Sequence, residues 1–174
     1  MNIKVKNLSK KFNNFIAVNN INFTLEKNKT LGLLGSNGCG KTTSIGMMLG
    51  LITPTSGEVI IDNKNVNNTN RSDLLSKMNF ASPYIELPKK LTVQQNLQVY
   101  GRLYGVKDLK NRISEISEDL NLNNFLNKNT GELSSGQKNR VSLAKSLINK
   151  PDILFLDEPT ASLDPDIGDF VRQY

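Results

Sequence analysis

The chain has 174 residues, which suffices for one domain, with or without a subdomain, and for a core that needs no covalent staples. Its 37% hydrophobic and 22% charged residues are typical of a soluble folded protein and exclude intrinsic disorder. The lack of histidine excludes histidine zinc sites and Ser–His or Cys–His nucleophile pairs, and the single cysteine, Cys39, excludes an internal disulfide.

Charge and hydropathy limit the partners. The 22 basic and 16 acidic residues leave a formal net charge of +6, and their scatter along the sequence predicts a soluble surface and no nucleic-acid partner. The N-terminus lacks the apolar run of a signal peptide, and one cysteine fits a reducing cytosol. The most apolar stretch, residues 44–52, is far shorter than the ~20 residues that span a bilayer. Any membrane role is therefore expected through contact with another chain.

The first part of the chain is predicted to contain strands and one helix. Alternating apolar and polar residues around 3–5 and 21–25 predict half-buried antiparallel strands. Residues 30–34 are predicted to form a compact apolar strand and residues 40–51 a helix. Residues 59–61 then predict a strand that enters a turn.

The second part alternates between strand and helix patterns. Residues 78–81 predict a strand, residues 92–127 a helical run, residues 135–148 another helix, and residues 152–156 a buried strand. This alternation predicts an α/β fold with a mainly parallel sheet, to which the N-terminal antiparallel strands add a small β subdomain. The helical run between two strands predicts an inserted helical subdomain at about 87–135.

Residues 35–42, Gly-Ser-Asn-Gly-Cys-Gly-Lys-Thr, fit the P-loop pattern GxxxxGK[ST]. Glycines let main-chain N–H groups turn towards a phosphate, and the following helix offers its positive N-terminal end. Lys41 supplies a charge to the terminal phosphates, and the Thr42 hydroxyl can bind Mg²⁺. The alternative, a chance glycine-rich turn, is disfavoured by the apolar segment before it and the helix after it. The predicted phosphate-binding residues are Gly35, Ser36, Asn37, Gly38, Cys39, Gly40, Lys41, Thr42 and Thr43.

A second pattern is the apolar run 153–156 followed by Asp157 and Glu158. Carboxylates at the end of a buried strand are costly unless they meet a cation or hydrogen-bond donors. At the carboxyl edge of a parallel sheet beside a P-loop, that cation would be Mg²⁺, held by Asp157. Glu158 would lie where it can polarise an attacking water. The alternative is a surface pair that caps a loop before Pro159.

Residues 133–137, Leu-Ser-Ser-Gly-Gln, open a helix with small polar side chains. Such a segment can bind an anion through a hydroxyl, main-chain N–H groups and the helix dipole, or it can simply cap the helix. Between a P-loop and an apolar-Asp-Glu strand it resembles the signature sequence of ATP-binding-cassette (ABC) proteins. The whole chain resembles the nucleotide-binding domain of an ABC transporter, which implies the P-loop NTPase fold.

The resemblance implies a role for each matching residue. Residues 35–43 match the Walker A loop, and residues 153–158 match the Walker B strand with Glu158 as the catalytic glutamate. Asp164 matches the D-loop that crosses the dimer interface. Phe12 matches the aromatic residue that stacks on adenine, with a plain core phenylalanine as the alternative. The segment implied to close over the γ-phosphate of ATP on the opposite subunit is Ser134, Ser135, Gly136 and Gln137.

The function implied by the resemblance is ATP binding and hydrolysis that drives substrate movement by a separate membrane subunit. Two copies, or one copy and a second ATP-binding subunit, would sandwich ATP and Mg²⁺, with Lys41 and Glu158 as catalytic residues. The implied location is cytoplasmic, peripheral at the inner face of the cell membrane. Residues 100–105, Tyr-Gly-Arg-Leu-Tyr-Gly, resemble the exporter branch.

Two other functions stay open at this point. One is a soluble ABC ATPase acting on DNA or ribosomes. Only 133 − 42 = 91 positions separate Thr42 from Leu133, which leaves no room for the long insertion of the DNA-repair type, and only one cassette is present. The other is a nucleotide-binding fragment that does not hydrolyse ATP and acts as an interaction module.

The sequence departs from the family pattern in two places. Where the family usually has a glutamine that contacts Mg²⁺, this chain has Ser82 and Pro83. The family's switch histidine follows the D-loop on a further strand, and this chain stops before it, at Tyr174. That strand lies between the Walker A and Walker B strands in the family, and a gap would leave backbone groups unpaired at a cost of ~1–3 kcal/mol each. We therefore expect the 174 residues alone to be a C-terminally incomplete domain that is unstable or inactive.

Overall fold

The computed structural model describes residues 1–67, 72–82 and 86–157. The chain divides into two compact units, Met1–Leu75 and Ser76–Tyr174, and each unit has its own sheet.

The first unit is built on an antiparallel sheet. Strand β1 (Ile3–Phe12) pairs with β2 (Phe15–Leu25) in a hairpin and with β3 (Ser56–Ile61) on its other side, and β4 (Lys64–Asn65) completes the order β2-β1-β3-β4. Apolar side chains alternate along β1 and β3, so one face of the sheet is buried, as expected for a half-buried antiparallel sheet. The predicted N-terminal β subdomain is confirmed. The buried side chains of these two strands are Ile3, Val5, Leu8, Val59 and Ile61.

The many asparagines have a structural use in this fold. Asn has a short polar side chain that tolerates the left-handed backbone conformation better than other non-glycine residues do. Two of these residues, Asn7 and Asn20, lie where the β1–β2 register shifts, and their N–H groups donate to Asn22 Oδ1 at 2.7 Å and Ser9 Oγ at 2.8 Å. The asparagines with positive φ in the described residues are Asn7, Asn13, Asn20, Asn28, Asn63 and Asn121.

The predicted strand at residues 30–34 is wrong. The described structure has no strand there, and Leu31 and Leu34 are 42% and 96% exposed. An apolar run becomes a strand only when a neighbouring strand pairs with it, and no described residue pairs with this run. The helix after it is confirmed as α1 (Lys41–Met48), which ends early because Gly50 adopts a left-handed φ of 67°.

The second unit contains the parallel strands and the longer helices. A single helical turn, α2 (Ser72–Leu75), ends the first unit, and β5 (Met78–Ala81) then pairs in parallel with β6 (Ile153–Leu156). The predicted parallel arrangement of these two strands is confirmed. In the described part of the chain between these strands lie the α-helices α3 (Val93–Leu103), α4 (Leu109–Asp119) and α5 (Ser135–Leu147).

Helix α3 begins where the sequence provides a cap. The Thr92 Oγ1 atom accepts the N–H of Gln95 at 3.1 Å, and the Gln95 side chain accepts the N–H of Thr92 at 2.9 Å. Short 3-10 turns, Asn123–Phe125 and Thr130–Glu132, follow α4, so the predicted helical run consists of two helices and a turn. In the described ranges, no helix has both the length and the apolar character needed to cross a bilayer.

One contiguous apolar core holds these helices together. It explains the periodicity in the sequence, because each helix turns one apolar stripe inward. The boundary of the helical subdomain at about 87–135 stays a prediction. The core consists of Val93, Leu97, Ile113, Ile116, Leu120, Leu122, Phe125, Leu133, Val141, Leu143, Ala144, Leu147 and Ile148.

Two leucines of α3 test this core. Leu97 is fully buried and Leu103 is 74% exposed. We expect Leu97→Ala to lower the free energy of unfolding by about 2–5 kcal/mol through lost burial and a cavity, and Leu103→Ala to change it by less than about 0.5 kcal/mol. Urea denaturation followed by circular dichroism measures both. Equal losses for the two variants would contradict the assigned core.

Candidate functional site

The P-loop packs closely on strand β2. Gly40 is the residue before α1, with a left-handed φ of 94°. A β-carbon on Gly40 would collide with the carbonyl oxygen of Ala17 and lie 3.0 Å from Val18 Cγ2. Gly38 also has a positive φ, of 82°, but a β-carbon there would meet nothing within 4 Å. Gly40 is therefore required for both backbone conformation and space, and Gly38 for conformation alone.

Lys41 lies on the loop that precedes it. Its Nζ donates to the carbonyl oxygens of Gly35 at 2.8 Å and Ser36 at 2.9 Å, and lies 3.9 Å from Cys39 Sγ. These contacts hold the ammonium group within reach of the loop that is predicted to surround the phosphates. The Cys39 thiol is exposed.

The first turn of α1 adds a second favourable feature for an anion. The Cys39 N–H bonds the Ser36 carbonyl at 3.3 Å, and the Ser44 N–H makes a helical bond to the Gly40 carbonyl at 2.8 Å. The amides of the first turn therefore precede the helical hydrogen-bond ladder and point out of the N-terminus. Among the described residues no side-chain hydrogen bond caps this end, and the first turn of the helix itself contains no acidic residue, which favours an anion at the positive end of the helix dipole.

Phe12, the residue predicted to stack on adenine, is the last residue of β1 and lies at the end of the β1–β2 hairpin. Phe12 is 45% exposed, which excludes the plain core phenylalanine, and the Lys10 ammonium lies 5.0 Å from its ring centroid. Sequence reasoning missed its neighbours Phe15 and Ile16, which are 62% and 55% exposed. The signal in the sequence was apolar residues on both sides of the Asn13-Asn14 pair, a residue type that favours turns.

The signature segment opens α5 with a reciprocal cap. The Gln137 N–H donates to Ser134 Oγ at 3.3 Å, and the Ser134 N–H donates to Gln137 Oε1 at 3.1 Å. Ser135 is the first helical residue, and both serines are exposed. The capping role considered in the sequence is therefore present. A role in binding an anion of another copy stays a prediction.

Asp157 lies at the carboxyl edge of the β5–β6 pair, as predicted. Its N–H donates to the carbonyl of Ala81 at 2.9 Å, and the register Ala81↔Leu156 makes Ser82 and Asp157 the next residues on the two strands. The two residues are 5% and 7% exposed, and Ser142 Oγ of α5 donates to the Ser82 carbonyl at 3.5 Å. Ser82 thus lies at the same sheet edge as Asp157, which sequence spacing alone could not show.

The predicted residues fall into two groups. The first unit holds Phe12 and residues 35–43, and the second holds residues 134–137 and Asp157. Glu158, Asp164 and Pro83 lie outside the described residues. Across residues 1–67, 72–82 and 86–157 there is no group of three or more Asp, Glu, His or Cys side chains placed to bind a metal.

The two P-loop glycines provide a matched pair of variants. An alanine at either position bears the cost of left-handed backbone, about 1–2 kcal/mol. We expect Gly40→Ala to lower the free energy of unfolding by a further ~1–3 kcal/mol because its β-carbon meets Ala17, and Gly38→Ala to show no such addition. Urea titration of both variants measures the difference. Equal losses would show that Gly40 does not approach β2 as described.

Similarity to proteins of known sequence places these features in a family. The family model described as ABC transporter matches residues 18–161. The probable multidrug ABC transporter ATP-binding protein YbhF of Escherichia coli (strain K12) is 38% identical over 165 residues, 94% of this chain and 28% of that protein. The zinc import ATP-binding protein ZnuC of Rickettsia bellii (strain RML369-C) is 41% identical over 162 residues, 93% of this chain and 64% of that protein. The chain thus spans less than two thirds of either relative.

Solved structures give the same result for the fold. A putative ABC transporter ATP-binding protein from Pyrococcus furiosus matches with a TM-score of 0.85 at 30% identity, covering 99% of this chain and 83% of that one. A dimeric ATP-binding cassette in a post-hydrolysis state, bound to ADP and Pi, matches with a TM-score of 0.86 at 29% identity, covering 98% and 80%. The P-loop NTPase fold is confirmed. Because the family model covers most of the sequence, the chain belongs to the ABC transporter family.

Proposed function

We propose that this chain is the ATP-binding and ATP-hydrolysing part of an ABC transporter, and that it drives substrate movement by a separate membrane subunit. The observation that carries the proposal is the P-loop geometry, in which the Lys41 ammonium lies 2.8 and 2.9 Å from two loop carbonyls at the N-terminal end of α1. A compact cation, main-chain amides and a helix N-terminus in one loop match the chemistry of a nucleoside triphosphate.

Net charge supports the same assignment. Residues 1–75 carry nine Lys and Arg and four Asp and Glu, so 9 − 4 = +5 of the total +6 lies in the unit with the P-loop. The basic residues are scattered along the chain as expected, but the acidic residues are concentrated in the second unit. A positive first unit attracts a polyanion such as ATP over longer distances. Phe12, exposed at the hairpin end, would stack on the adenine.

The residues also fit magnesium. Mg²⁺ prefers hard oxygen ligands, and Thr42 and Asp157 offer a hydroxyl and a carboxylate. When bound, the ion would neutralise charge on the phosphate oxygens. Ser82, beside Asp157 at the sheet edge, offers a further hydroxyl in the region where the family usually has a glutamine.

Hydrolysis would depend on three groups of this chain. Glu158 would accept the proton of the attacking water, and Lys41 would stabilise charge on the terminal phosphate. The Ser134–Gln137 cap of a second copy would close over that phosphate. ATP would favour the paired state because it binds that state more tightly, and this difference in affinity would drive the membrane partner.

The proposal includes partners and location. A similar cassette was solved as a dimer, which supports a second copy or a paired second ATP-binding subunit as one partner. The relatives' names as transporter ATP-binding proteins support a membrane subunit as the other, and therefore a peripheral position at the cytoplasmic face of the cell membrane. Residues 1–174 are proposed to form one ATP-binding domain, with the helical segment at about 87–135 as its subdomain.

Glu158→Gln tests the proposed base. The variant keeps the shape of the side chain but cannot take up the proton, so we expect ATP binding within twofold of the parent and phosphate release reduced about 100-fold or more. Phosphate release is measured with the membrane partner present, and ATP affinity with a fluorescent analogue. Turnover unchanged by Glu158→Gln would exclude it as the base, and ATP affinity unaltered by Lys41→Ala would remove the proposed nucleotide site.

A further inference from the structure

Arg112 is a buried cation that none of the proposed catalytic steps uses. It lies in α4, is 6% exposed, and belongs to a helix that otherwise contributes apolar side chains such as Ile113 and Ile116 to the core. A buried guanidinium is costly unless its donors are satisfied, so the positions of those donors indicate what the residue does.

The donors of Arg112 are directed at the C-terminal end of α5. Nη2 donates to the carbonyl oxygen of Leu147 at 2.6 Å, and Nε donates to that of Ile148 at 3.3 Å. The last carbonyls of a helix have no partner inside it, and a positive charge there complements the helix dipole. Arg112 therefore acts as a cap for α5 that is supplied by a different helix.

A carboxylate fixes the direction of the guanidinium. Glu115, one turn later on α4, accepts from Nη1 of Arg112 at 2.9 Å, and its carboxylate also lies 3.6 Å from the Lys150 ammonium. The hydrogen bond from Arg112, and then its charge, hold the pKa of the Glu115 carboxyl below its usual value. The guanidinium is thus bound on two sides, by a carboxylate and by two helical carbonyls.

The segment between α5 and β6 is hydrogen-bonded to β5 and to the residues just before it. Asn149 Nδ2 donates to the Ser76 carbonyl at 3.0 Å, its Oδ1 accepts from Asn79 Nδ2 at 3.0 Å, and the Asp152 N–H donates to the Lys77 carbonyl at 2.8 Å. Strand β6 begins immediately afterwards and leads to Asp157. Arg112 thus acts at the junction between the helix that carries the signature and the strand that carries Asp157.

We propose that Arg112 is a positioning residue that fixes α5 along its axis and so sets where Ser134–Gln137 stand relative to Asp157. A helix of 13 residues is rigid over its ~20 Å length, so fixing its C-terminal end also fixes its N-terminal end. The inference rests on the proposed function, because the position of the signature matters only if it meets nucleotide on a second copy.

Hydrogen exchange and ATP-dependent pairing test the inference in the full chain. Arg112→Met removes every hydrogen-bond donor of the side chain. Arg112→Lys keeps the positive charge but lacks the forked donors of the guanidinium. The control is Arg102→Met, at an exposed arginine in the last turn of α3. In Arg112→Met we expect at least tenfold faster amide exchange in α5 from Lys138 onwards, where its helical hydrogen bonds begin, and unchanged exchange in α1. Arg112→Lys is expected to fall between it and the parent, and Arg102→Met to match the parent.

Pairing is measured by light scattering with ATP and Mg²⁺ in the Glu158→Gln background. We expect Arg112→Met to raise the protein concentration for half-maximal pairing at least tenfold while ATP affinity stays within twofold, because the P-loop belongs to the first unit and Arg112 to the second. Should Arg112→Met not fold, Arg112→Lys is judged by the same readouts.

Parental exchange in α5, or parental pairing by the substituted chain, would overturn the inference. A parent that binds ATP but does not pair would count against the proposed function, and the exchange measurement would still decide the role of Arg112.

Discussion

The candidate site depends on the close approach of two backbone segments, at Gly40 and Ala17. Because Gly40 has no side chain, the end of the P-loop can rest against the carbonyl of β2 and turn directly into α1. That contact determines where the helix N-terminus points and where Lys41 can fold back onto the carbonyls of Gly35 and Ser36. Binding of a polyanion requires all three features, since amides, dipole and ammonium must be directed at the same place.

In the second unit, polar side chains lie at the ends of helices and strands whose inward-facing residues are apolar. Helix α5 has a reciprocal Ser134–Gln137 cap at its start and the Arg112 guanidinium at its end, so side chains bond to backbone groups at both termini. The parallel register of β5 and β6 then places Ser82 and Asp157 side by side at the carboxyl edge. In both cases the polar residue lies where a backbone element stops.

The motifs of the candidate site and the N-terminal strands could be predicted because the sequence patterns that indicate them are local. The P-loop glycines, the apolar-Asp-Glu run and the small residues before α5 are read from spacing alone, and the alternation in β1 and β2 follows from one buried face. Residues 30–34 show the limit of such signals. Their composition is that of a buried strand, but a strand also needs a partner, and pairing is a property of the whole fold. The expectation that the 174 residues alone are unstable or inactive stays a prediction.

The rest could not be predicted because it joins residues far apart in sequence. Nothing in the sequence links Arg112 to the carbonyl of Leu147, or the space at Gly40 to Ala17. The exposure of Phe12 also depends on where the β1–β2 hairpin ends. The residue type alone does not show it, because a phenylalanine fits a buried core position about as well as an exposed stacking position. These contacts follow from how the helices and strands pack. They determine the position and exposure of the residues that the local motifs identify.

The P-loop is tested most directly as a nucleotide site by equilibrium binding of ATP to the folded chain, measured by titration calorimetry for the parent and for Lys41→Ala, with circular dichroism to confirm that both are folded. We expect saturable binding by the parent that weakens at least tenfold in the variant, because a charge-assisted contact to the phosphates is lost. A folded parent that fails to bind ATP at millimolar concentration would show that the P-loop is not a nucleotide site.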